Sequence, residues 1–155
     1  MGNRAVITSS LDLENNTTEL SERSDKIGLY LHWNGGLDSV RGFLTYCKLI
    51  GARAPTEDEA YAFAQLSRVI ANFFGGTLSV GVGTLNHLDC DNFDNGVYIV
   101  GDNWEIVGRK YIEGEEQNSY NLKDMLIEID ERQPKSQQLG KEEIEKLLTE
   151  GAINV

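Results

Sequence analysis

The residues with the clearest chemical potential form one short turn, Asn34-Gly35-Gly36-Leu37-Asp38-Ser39, set between an apolar run and a helical pattern. Paired glycines let a backbone approach a phosphate, and a helix N-terminus supplies free N–H groups and the positive end of a dipole. Asn34, Gly35, Gly36, Asp38 and Ser39 are therefore the candidate nucleotide-binding residues. The same residues also suit a tight strand-to-helix turn in which the glycines serve geometry and Asp38 is the helix cap. No Lys or Arg lies within the turn to meet a phosphate, so the geometric reading ranks first.

A second stretch, Asp89-Cys90-Asp91-Asn92-Phe93-Asp94-Asn95-Gly96, is rich in the oxygen ligands that hold Ca²⁺ or Mg²⁺. The EF-hand spacing fails, because Phe93 occupies a ligand position and no Glu closes the loop. Asx residues are equally what turns require, and a turn is expected here. His32, His87, Cys47 and Cys90 make a zinc-like inventory, but none of their spacings is a knuckle and Cys47 falls on an apolar helical face. Neither a metal nor another cofactor is expected. Ser39 or Cys90 with His32 or His87 can be written as a nucleophilic dyad, yet no G-x-S-x-G elbow supports it. The chain reads as non-enzymatic.

Charge is more informative. Twenty-five acids stand against fourteen bases, a formal net charge of −11. Phosphate backbones repel such a chain, so direct nucleic-acid binding is not expected. No Lys or Arg occurs between Arg68 and Arg109, while Asp89, Asp91, Asp94, Asp102 and Glu105 fall in that gap. With Glu113, Glu115 and Glu116 these form the expected partner-binding surface, one that would steer a basic protein towards it. No run approaches the ~18 apolar residues of a membrane helix. The N-terminal residues lack the basic start and apolar core of a signal peptide, so a cytoplasmic location is expected.

The elements that must position these residues follow from patterning. Residues 4–8 are a β-branched strand, and residues 9–26 a polar, mobile loop. Residues 27–33 form a second strand antiparallel to the first, with Leu29, Leu31 and Trp33 on one face and Tyr30 and His32 on the other. Val40, Phe43, Leu44, Cys47 and Ile50 mark a helix that Gly51 ends. Thr56 and Glu59 form a capping box for the next helix, whose buried stripe is Phe63, Leu66, Ile70 and Phe73. Residues 78–85 alternate as a strand. Two further strands flank a turn at Gly101-Asp102-Asn103. Asn121 with Asp124 opens a helix that turns Leu122, Met125, Leu126 and Ile129 inward. The predicted class is α+β, a mainly antiparallel sheet of about five strands with a helix pair on one face. Residues 1–133 make one domain, and 134–155 a linker with a short, peripheral amphipathic helix.

The turn at Asn34–Ser39 resembles the phosphate-gripping loop of the ATP pyrophosphatase families, Ser-Gly-Gly-x-Asp-Ser. Gly35, Gly36, Asp38 and Ser39 match, and Asn34 replaces the first serine. The likeness implies the small nucleotide-binding domain that is the alternative reading. Over YLHWNGGLDSV (30–40), VIANFFGGTLSVGV (69–82) and LDCDNFDNGVYIVGDNWEIVGR (88–109), the chain resembles small acidic proteins of phages and mobile elements of Gram-positive bacteria. That likeness spans roughly residues 2–131. It implies an anti-defence setting in the bacterial host cytoplasm. There an anti-CRISPR-like protein presents carboxylates to a basic host defence protein such as a CRISPR nuclease.

Overall fold

The computed structural model describes residues 2–9, 26–76, 78–114 and 120–150. Within them run β1 (Ala5–Ser9), β2 (Ile27–Leu31), α1 (Leu37–Leu49), α2 (Glu59–Phe73), β3 (Val80–Thr84), β4 (Val97–Val100), β5 (Ile106–Lys110), α3 (Leu122–Glu131) and α4 (Lys141–Thr149). Most of the loop expected to be mobile, residues 10–25, lies outside the described residues, as do residues 151–155.

The five strands form one sheet in the order β3-β2-β1-β4-β5. β1 and β2 pair antiparallel, with Ile7 opposite Leu29, as their apolar runs predict. β3 extends the sheet antiparallel to β2, and β5 antiparallel to β4. The halves are joined by the parallel pair β1–β4, in which Ile7 faces Tyr98. The chain is α+β, and its sheet is mainly antiparallel with one parallel pair at the centre.

Alternation along the strands sends side chains to two layers. Ala5, Ile7, Leu29, Leu31, Tyr98 and Val100 join Phe43, Leu66, Ile70, Met125 and Ile129 in the main core beneath the helices. Val6, Val97 and Ile99 point the other way and pack with Leu85, under the segment linking β3 to β4. The α2 stripe of Phe63, Leu66, Ile70 and Phe73 is buried as its period predicts. Gly42 lets α1 lie directly against α3, since a Cβ there would overlap the Met125 side chain.

Several local expectations are corrected. Trp33 is not inward: β2 ends at Leu31, Asn34 turns the chain in a left-handed conformation (φ 55°), and Trp33 is 44% exposed. That early turn also places the cap of α1 at Gly36, so Asp38 lies in the first helical turn, where its charge still meets the dipole. The capping box at Thr56 and Glu59 does not form. The amides of Glu57 and Asp58 both donate to the Ala54 carbonyl, so residues 54–58 make their own turn and the helix starts later. Asp58 is the cap, accepting from the Tyr61 amide, and Thr56 donates instead to Asp102. The C-terminal helix is not peripheral. Ile144 is fully buried in the main core, and the Asp130 carboxylate holds the amides of Leu139 and Gly140 at the entry to α4. No helix among the described residues is long and apolar enough to cross a membrane.

Candidate functional site

The glycine turn is occupied by the fold. The Gly35 amide donates to the Asn3 carbonyl at 2.8 Å, and its own carbonyl accepts the Tyr98 hydroxyl at 2.7 Å. A side chain at Gly35 would run into the backbone of Asn3 and Arg4. Gly36 and Ser39 are buried, and the Asn34 side-chain amide donates to the Ser39 hydroxyl at 3.2 Å. These bonds fasten the β2–α1 corner to the N-terminal segment, and Gly35 is there because the two backbones nearly touch.

The acidic residues are brought together only in part. Asp89, Asp91 and Asp94 precede β4, and Glu113 follows β5, so these four share one end of the β4–β5 pair. Asp102 and Glu105 sit in the turn at the opposite end, a β4 length or roughly 13 Å away. Glu115 and Glu116 lie outside the described residues. The described residues of that expected surface therefore stand at the two ends of the β4–β5 pair, and the larger group surrounds the loop before β4.

Arg4, a residue the sequence did not mark, organises that part. Its guanidinium donates to Asp94 Oδ2 at 2.8 Å and its amide to the same oxygen at 3.1 Å. Asp89 lies 3.8 Å from the other arm of the guanidinium. Burial alone would push the Asp94 carboxyl up. The hydrogen bonds and charge of Arg4 outweigh that and hold it below its ordinary value. Asp89, Asp91 and Glu113 are exposed.

Between Asp91 and Asp94 the loop is wound on Asn92, which is fully buried. Its side-chain amide donates to the carbonyls of Asp89 and Gly96, and its oxygen accepts the amides of Asp94 and Gly96. The adjacent Phe93 is thereby held outward, 68% exposed, with a left-handed backbone (φ 61°). The Glu113 amide donates to the Asp94 carbonyl at 3.1 Å, which brings Ile112, half exposed, beside the same loop. His32 and Trp33 leave β2 at this end of the sheet, where the Asn3 amide donates to the His32 carbonyl. The rings of His32 and Trp33 meet edge to face at 4.9 Å, and His32 Nδ1 shares a hydrogen bond with the Tyr30 hydroxyl at 3.1 Å. Phe93, Ile112 and Trp33 are thus exposed at the same end of the sheet as Asp89, Asp91 and Glu113. Phe93 was legible only as an interruption: one large apolar residue in a turn of Asx residues and glycine.

The His and Cys residues are dispersed. Cys47 is buried within α1, and Cys90 leans its sulfur towards the Leu85 carbonyl. His87 Nδ1 is 3.0 Å from the Thr84 hydroxyl. No group of three or more His, Cys, Asp or Glu side chains with the spacing of a metal site occurs among the described residues. Comparison with protein-family models, with curated proteins and with solved structures finds no match to this chain.

Proposed function

We propose that the chain is a non-enzymatic binding protein that seats Phe93 in an apolar recess of a basic partner, with Asp89, Asp91 and Glu113 meeting cations around it. One observation carries this reading. Phe93 pays twice, once for a left-handed backbone that bulky residues avoid and once for a ring in water, and the fully buried Asn92 enforces both. Backbone strain of this kind collects at functional sites. A central aromatic within a charged rim is also the usual anatomy of a binding hot spot. The carboxylates add association rate and choice of partner more than affinity. On the resemblance to phage proteins, the partner is a host defence protein such as a CRISPR nuclease, and the outcome of binding is its inhibition.

The test is binding and inhibition of a panel of defence nucleases by the intact chain and by two variants, Phe93→Ser and the triple Asp89→Asn/Asp91→Asn/Glu113→Gln. Phe93→Ser is expected to weaken binding by a factor of about 30 or more, the loss of roughly 2 kcal/mol that marks a hot spot. The triple variant is expected to lower the association rate and flatten its salt dependence. Undiminished binding by Phe93→Ser would reject the reading, as would a panel with no partner.

A further inference from the structure

We propose that the groove between α1 and the Asp102–Trp104 turn binds a small organic dianion, a phosphate monoester or a dicarboxylate, independently of the surface around Phe93. The groove has a volume of about 440 Å³, within the range of ligand sites. One wall is a single face of α1 that carries Leu37, Arg41, Thr45 and Lys48, and the other carries Trp104 and Glu105.

The charges on the helical wall run against the rest of the molecule. The chain carries a net charge of −11. Arg41 and Lys48 nevertheless stand together here, and neither has an ion pair among the described residues, although Glu105 is on the facing wall. They lie two helical turns apart, roughly 10 Å along the axis, with the Thr45 hydroxyl between them. A guanidinium and an ammonium at that separation suit two anionic oxygens clusters on one small molecule, or one phosphate held by Arg41 with Lys48 closing over it. Beyond Ala52 the next groove is lined by Arg68 and by Arg53, which is paired with Asp58 at 3.3 Å.

The facing wall is built under strain. Asn103 and Trp104 both have left-handed backbones, at φ 57° and 62°. Tryptophan accepts that conformation at a cost, and here the indole is pinned by donation from Nε1 to the Ala52 carbonyl at 3.0 Å. The pinned indole, itself buried, fixes the back of the groove, and the partly exposed Leu37 and Ile106 give the body of the ligand an apolar bed.

The experiment is an NMR titration of isotope-labelled protein with phenyl phosphate, with phthalate, and with phenol as the uncharged control. Saturable shifts are expected at the amides of Arg41, Thr45, Lys48, Asn103 and Glu105 with one or both anions, and none there with phenol. The anion that binds more tightly assigns the source of the charge. Arg41→Gln/Lys48→Gln is expected to weaken binding about tenfold or more, with an unchanged thermal melt because both side chains reach the surface. Absence of saturable shifts with either anion at millimolar concentration, or equal binding by the double variant, would overturn the proposal.

Discussion

Tyr46 on α1 donates its phenolic hydrogen to Asp130 on α3, and the same carboxylate accepts the amides of Leu139 and Gly140 at 2.7 and 2.9 Å. One buried charge thus ties α1, α3 and the approach to α4. Burial, followed by the bond to Asp130, pushes the Tyr46 hydroxyl far above its ordinary pKa, so it remains a neutral donor. Asp130→Asn puts an amide N–H where an acceptor is needed and is expected to cost about 2–3 kcal/mol. Tyr46→Phe removes one donor and should cost about 1–2 kcal/mol. Urea unfolding measures both, and a wild-type midpoint for Asp130→Asn would show that the junction contributes nothing.

Ser9, Lys26 and Glu59 form a second junction, between the central strand and the start of α2. The Ser9 hydroxyl donates to Glu59 Oε2 at 2.9 Å, and Lys26 Nζ lies 3.3 Å from that hydroxyl and 3.7 Å from Glu59. Removing one member of a buried pair strands the other charge, whereas removing both does not. Lys26→Met is expected to destabilise by about 2 kcal/mol, with much of that loss recovered in Lys26→Met/Glu59→Gln. Strictly additive losses in thermal unfolding would count against the coupling.

Stability should depend on pH through Asp94. Its folded-state pKa is depressed, so the contribution is complete above the ordinary carboxylate value near ~3.9 and fades as pH falls through the folded value. Asp94→Asn is therefore expected to melt below wild type at neutral pH, and the two curves should converge on acidification below ~3.9. A gap that stays constant to the acid limit would place the effect elsewhere.

The two thiols should be slow nucleophiles. Cys47 is enclosed in the core, and its thiol is raised far above the ordinary value by burial. Burial, and then the charge of Asp89, pushes the Cys90 thiol up to about 11. Thiolate is the reactive form, so iodoacetamide at neutral pH should label native Cys90 much more slowly than the denatured chain and leave native Cys47 untouched. Mass spectrometry resolves the two sites, and rapid labelling of Cys90 would contradict the environment described.

What the sequence reveals of this fold is what depends on neighbours along the chain. Phe63, Leu66, Ile70 and Phe73 repeat at the helical period, and Asn121 sits three residues before its partner amide, so both are visible locally. The parallel pairing of β1 with β4 has no local signature, because it joins segments separated by most of the chain. Local cap patterns misplaced two helix starts, where turn geometry at Asn34 and at Ala54 took precedence. The acidic run looks continuous only when charge is followed along the chain; the strand expected before Gly101 is β4, and its length sets Asp94 and Asp102 at opposite ends of the pair. Arg4 was invisible as a site residue because its partner lies 90 residues away. Arg41 and Lys48 were equally hidden, since what sets them apart is that neither pairs with an acid among the described residues, although the fold brings Glu105 to the facing wall.

The placement of β1 bears on how the chain is made. The earliest of the five strands in this sequence lies in the middle of the finished sheet, with β2 on one side and β4 on the other. Until β4 emerges, the far side of β1 offers unpaired N–H and C=O groups to any extended segment nearby, including another nascent copy. Closing so long a loop before the centre is complete also slows folding relative to a sheet of hairpins. A fragment that stops short of Val97 turns the middle of this sheet into an edge.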